Sequence, residues 1–131
     1  MSDMSEAHEM RKSGEQGAIA VEMALLAPIL VALVLGIVEF GFAFNSQTTI
    51  THSAREAVRE MAINDVKAEA QQTAVDTAAP MVTLSPGQVI VVPNTCVSGD
   101  VTVTIEYTHS SVTGFIPDLA LIGKGVMRCG G

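Results

Sequence analysis

Hydrophobic and polar positions divide this chain sharply. From Ala18 to Phe44 nearly every residue is apolar, and Glu22 and Glu39 are the only charges in the 27-residue run. As a helix rising about 1.5 Å per residue, the run would extend roughly 40 Å, more than a hydrocarbon core of roughly 30 Å requires. Its apolar residues fall on every side of the helix, not on one stripe, and the rest of the chain is too short to wrap such a rod. The pattern therefore predicts a membrane-embedded helix over 18–44.

After Asn45 the helical period survives while the composition changes. Ile50, Ala54, Ala57, Val58 and Met61 recur at spacings of three and four, with Arg55, Glu56, Arg59 and Glu60 on other faces. This predicts an amphipathic stalk to about Ile63, a cap or break at Asn64-Asp65, and a second helix over 66–79 ended by Pro80. In that second helix Val66, Ala70, Ala74 and Ala78 would form the inner row. Beyond Pro80 the preference turns to strand. Gln88–Val92 is β-branched between Pro86-Gly87 and Pro93-Asn94, and Val101–Thr108 alternates, placing Val101, Val103, Ile105 and Tyr107 on one face. Gly114–Ile122 reads as an apolar connection interrupted by Pro117, and Lys124–Cys129 as a last strand. The expected fold class is α+β: a long N-terminal transmembrane helix continuing as a stalk, then a small antiparallel β head. The expected divisions are a leader over 1–17, the membrane helix over 18–44, stalk helices over 45–79 and an extracytoplasmic head over 80–131.

Charge excludes one class of partner. The net charge is −7, and no basic patch or aromatic platform suits nucleic acid. The leader has Arg11 and Lys12 against four carboxylates and no apolar period, and reads as disordered. Its basic pair favours an N-terminus left in the cytoplasm, with the C-terminal domain outside. In that compartment Cys96 and Cys129 are read most economically as a disulfide. The closed loop would contribute on the order of 3–4 kcal/mol in a chain-entropy account. A metal site of Cys96, Cys129 and His109 is the alternative, but it lacks the short spacing of structural zinc motifs. The histidines His8, His52 and His109 are scattered, and no nucleophile context or phosphate loop accompanies them. No catalytic residue, cofactor or metal is expected, so the chain reads as a non-enzyme.

Glu22 narrows the fate of the apolar run. An ordinary secretory signal would be shorter and would not contain it. A plain anchor has no use for a carboxylate that costs a few kcal/mol in a bilayer. Gly17 before a small apolar stretch, Val21-Glu22, Pro28, and Gly36-Ile37-Val38-Glu39-Phe40-Gly41 together resemble the TadE-like pseudopilins of tight-adherence (Flp, type IV-like) pilus systems. The resemblance continues through Ala54-Arg55-Glu56-Ala57. Met23 stands where an aromatic is common in the family, pointing away from a major pilin, and Phe42 where a basic residue is frequent.

The resemblance implies processing between Gly17 and Ala18 by a prepilin peptidase. It also implies a role as a minor pilin or pseudopilin in pilus assembly, adherence or related secretion. The implied partners are other pilin subunits, the inner-membrane assembly platform and the lipid bilayer. Glu22 would meet the freed amine of a neighbouring subunit during assembly, and Glu39 would be either an intersubunit contact or an interfacial carboxylate. Two other readings are a single-pass anchored binding domain that never assembles and a secreted small disulfide domain.

Overall fold

The computed structural model describes the backbone of residues 3–114 and 116–130, and side chains from Gln16 onward. The first helix, α1, spans Asp3–Asn64. The backbone is thus helical from Asp3, where the sequence reads as disordered. Glu, Ala, Met, Arg and Lys populate this stretch, and their intrinsic preference favours a helix even with no apolar face to bury. The side chains of Arg11 and Lys12 lie outside the described residues. The helix continues through Pro28.

The chain divides into two compact units, Met1–Val38 and Glu39–Gly131. In the first unit every described side chain is exposed, including Ile19, Leu25, Ile29 and Leu33. The helix over Gln16–Asn64 is long and apolar enough to cross a membrane, and none of its most apolar window is buried within the protein. An apolar rod with no protein around it is stable where the solvent is itself apolar.

The second unit carries the core. The stalk part of α1 buries Ile50, Ala54, Ala57, Val58 and Met61, the inner face its periodicity predicts. The helix ends at Asp65, whose φ of 53° is left-handed and whose N–H donates to the Met61 carbonyl at 3.0 Å. Aspartate tolerates that conformation better than most residues. A second helix, α2 (Lys67–Ala78), buries Ala70, Ala74 and Ala78. Val66, expected in the same row, precedes the helix in extended conformation and is exposed.

Three strands follow: β1 (Val89–Val92), β2 (Asp100–His109) and β3 (Leu119–Arg128), in antiparallel order β1-β2-β3. β2 buries Val101, Val103 and Ile105, with Tyr107 half-buried, as the alternation predicts. The last strand begins at Leu119, five positions before the expected start at Lys124, so the apolar connection is shorter than expected. The reason lies in pairing: Leu119–Gly123 sit opposite Ile105–His109 of β2, and Leu121 turns inward.

Two positions in β3 explain the closeness of sheet and stalk. An ideal Cβ on Gly123 would lie 2.5 Å from the Ile50 carbonyl oxygen, and one on Gly125 would lie 2.6 Å from that of Ala54. Glycine inside a strand often marks such a close backbone approach.

Candidate functional site

The sequence points to three places: the Gly17-Ala18 bond with Glu22, the second glutamate Glu39, and the cysteine pair. They separate in the structure. Gly17, Ala18 and Glu22 lie in the first unit, whereas Glu39, Cys96 and Cys129 belong to the second.

Around Gly17 there is open space. A Cβ there would meet nothing within 4 Å, and the same holds for Gly36 and Gly41. No intrachain packing therefore requires these glycines. Glu22 is exposed on the same apolar helix and has no hydrogen-bond or ion-pair partner among the described residues. A carboxylate placed in an apolar run without a partner is costly in a bilayer, and such residues are usually functional.

Glu39 has the opposite environment. It is 4% exposed, and its Oε1 accepts a hydrogen bond from the Val112 backbone N–H at 2.9 Å, while its Oε2 is buried without a partner. Two turns along the helix, Ser46 is 8% exposed and its Oγ lies 3.3 Å from Nδ1 of His109. The end of β2 and the loop after it are thereby held along α1 at two levels. His109 Nε2 is also buried without a partner. Ser46, His109 and Val112 carry no local motif, so this contact was not legible in the sequence.

Cys96 and Cys129 form a disulfide with Cα atoms 5.3 Å apart. It sits where several ends of the head converge. Cys96 N–H donates to the Asp65 carboxylate at the helix break, Cys129 N–H donates to the Gly99 carbonyl at 2.9 Å, and Gly130 N–H reaches the Ala62 carbonyl at 3.3 Å. Gly99, with φ of 88°, makes the turn into β2, a conformation glycine adopts at no steric cost. His109 is not part of this cluster: it contacts Ser46 and stacks at a tilt on Tyr107, with centroids 6.5 Å apart. The alternative of a shared metal site with the cysteines is thereby overturned, since both sulfurs are consumed in the disulfide. Among the described residues no group of three or more His, Cys, Asp or Glu side chains is placed to hold a metal ion.

These features define a class: an α+β chain with, among the described residues, one membrane-capable helix and a disulfide-tied, three-stranded antiparallel head. Residues 17–59, about a third of the chain, are similar to the family model described as TadE-like protein. The match begins at Gly17, includes both glutamates and ends within the stalk, leaving α2 and the sheet outside it. Comparison with curated proteins and with solved structures gave no match.

Proposed function

We propose that the chain is a minor pilin or pseudopilin of a Tad-type pilus machine. In this reading a prepilin peptidase cuts between Gly17 and Ala18, and the cut subunit enters assembly from the membrane. The TadE-like match over 17–59 supports the connection to the pilus system. The observation that carries the finer reading is Glu22, an unpartnered carboxylate four residues beyond Ala18 in an apolar run whose only other charge is Glu39.

The chemistry is simple. Cutting after Gly17 frees the Ala18 amine, a cation at the start of the apolar helix. A neighbouring subunit's Glu22 can then supply the opposite charge. The pair is expensive to desolvate, yet removing one member is worse, which suits a device that sets register between subunits. No other described part of the chain packs against Gly17. The subunit itself performs no catalysis in this proposal. Its N-terminal side is cytoplasmic, its head is extracytoplasmic, and the assembly platform and other pilin subunits are its partners.

A secreted domain released near Phe44 fits less well. Such a cut would remove Glu39, and Val112 would lose the acceptor of its buried-side hydrogen bond. N-terminal sequencing of the protein recovered from cells tests the proposal. An N-terminus at Ala18 is the expected result. Met1 or Ser2 would identify an anchored domain that is never processed, and a residue near Phe44 would identify a secreted one. A Gly17→Leu variant should accumulate as the longer precursor in a host that has the peptidase.

A further inference from the structure

The sheet has two edges, and the structure treats them differently. β1 is four residues long, and Gln71 of α2 donates from Nε2 to the Val89 carbonyl at 2.9 Å. The shorter edge offers few outward groups, and one of its carbonyls is already taken. β3 is ten residues long, and its outer side has no strand beside it.

Pairing identifies the free groups. β3 pairs with β2 from Asp100↔Arg128 to His109↔Leu119, and just beyond the strand Cys129 N–H bonds to Gly99. In an antiparallel ladder, residues alternate between bonding the neighbour and facing away. The odd-numbered residues of β3 thus bond to β2. Ala120, Ile122, Lys124, Val126 and Arg128 turn their N–H and C=O groups outward. Gln47 Nε2 confirms the direction by donating to the Ile122 carbonyl at 2.9 Å. Among the described residues no other outward backbone group of β3 has a partner.

The side chains of the same residues lie on the face opposite the core. Ile122 is 59% and Val126 54% exposed, and Lys124 and Arg128 are exposed with no ion-pair partner among the described residues. Along the edge the order is apolar, basic, apolar, basic. An unpaired edge of this length is a template for an added strand, with backbone bonds giving affinity and side chains giving selectivity. Self-pairing about a two-fold axis would bring together two strands whose only charges on this face are the cations Lys124 and Arg128, which is repulsive. A strand carrying carboxylates four positions apart, with apolar residues between them on the same face, meets both cations.

We infer that the outer edge of β3 receives an extended, acidic strand from another protein, with Lys124 and Arg128 facing its carboxylates. The inference uses none of Gly17, Ala18 or Glu22 and stands apart from the processing proposal.

The test uses the full chain, 15N-labelled in zwitterionic detergent at low salt. The probe is a blocked peptide as long as β3 with glutamates four positions apart and valine or threonine elsewhere; its control carries lysine for glutamate. The acidic peptide should slow amide exchange at Lys124 and Val126 by about tenfold, and added salt should weaken the effect. The double variant Lys124→Glu/Arg128→Glu should prefer the lysine peptide. Val126→Pro removes only an outward N–H, so it should keep the β2–β3 ladder and lose the protection. If that variant unfolds, the charge-reversed pair decides. No protection at saturating acidic peptide, equal protection by both peptides, or slowing that depends on protein concentration without peptide would each overturn the inference.

Discussion

Glu39 accepts its hydrogen bond from a backbone N–H that lies 73 residues further along the chain, that of Val112. The two glutamates of the apolar helix are thus different in kind. Glu39 is buried and tied to its own chain, whereas Glu22 is exposed and has no partner among the described residues. Only the second presents its carboxylate to something outside the chain.

Replacing Glu39 should loosen the loop after β2. Glu39→Ala leaves the Val112 N–H without its acceptor, a loss of about 1–3 kcal/mol if the group stays buried. Glu39→Gln should lose less, because it keeps a carbonyl oxygen at the same reach, and falls short of wild type because a neutral acceptor bonds more weakly. Amide exchange at Val112 reads the difference: fast in the alanine variant, intermediate in the glutamine variant, slow in the wild type. Equal protection in all three would show that the bond does not hold the loop.

The contact between β3 and the stalk gives a second prediction. Two residues of strand advance about 6.6 Å and four residues of helix about 6 Å. Gly123 and Gly125 therefore meet the Ile50 and Ala54 carbonyls in step. A methyl group at either position meets backbone, which cannot rotate away. Gly123→Ala and Gly125→Ala should each cost about 1–3 kcal/mol. The double variant should cost less than the sum, since one displacement of the strand relieves both clashes. Lys124→Ala, between them and exposed, should stay within about 0.5 kcal/mol of wild type. Thermal unfolding followed by circular dichroism in detergent checks the set. A neutral Gly123→Ala would mean that sheet and helix are not in close contact.

Much of this architecture was legible because periodicity is local. The stalk core from Ile50 to Met61 and the inward row of β2 follow directly from spacings of three to four and of two. The start of β3 was hidden because Leu119-Ala120-Leu121-Ile122 is apolar on both faces and follows Pro117, so alternation is masked until β2 pairs with it. Gly123-Lys124-Gly125 was a readable sign of close approach, but its partner was not. The Glu39–Val112 and Asp65–Cys96 contacts join residues 73 and 31 positions apart. No local pattern encodes a partner at that separation, and only the folded head brings the two groups together.

The disulfide should carry a measurable share of the head's stability. The head's core is small, and the bond closes a loop with a sequence separation of 33. In the chain-entropy account that closure contributes about 3–4 kcal/mol. Cys96→Ser/Cys129→Ser should lower the denaturation midpoint by a corresponding amount, as should reduction of the wild type. The loosest amides in the reduced protein should be those of Cys96, Cys129 and Gly130, whose partners are Asp65, Gly99 and Ala62. Alkylation of the denatured, unreduced protein should find no free thiol. Labelling at both cysteines in protein taken from the cell surface would count decisively against the bond.

Glu22→Ala separates processing from assembly. The substitution leaves Gly17-Ala18 intact, and alanine is the better helix former, so the helix should persist. Glu22 has no intrachain partner to lose among the described residues, which predicts unchanged thermal stability of the head. Cleavage after Gly17 should continue. The freed Ala18 amine of a neighbour would then lack its opposite charge, and breaking a buried pair typically costs about 3–5 kcal/mol. A loss of that size moves the subunit from the assembled fraction to the membrane pool. Glu22→Gln keeps size and polarity without the charge and should be nearly as defective. Cells carrying each variant can be sheared and fractionated, with membrane and surface material compared by immunoblot. Processed Glu22→Ala at wild-type levels in the surface fraction would make Glu22 a bystander in assembly, whatever the peptidase does at Gly17.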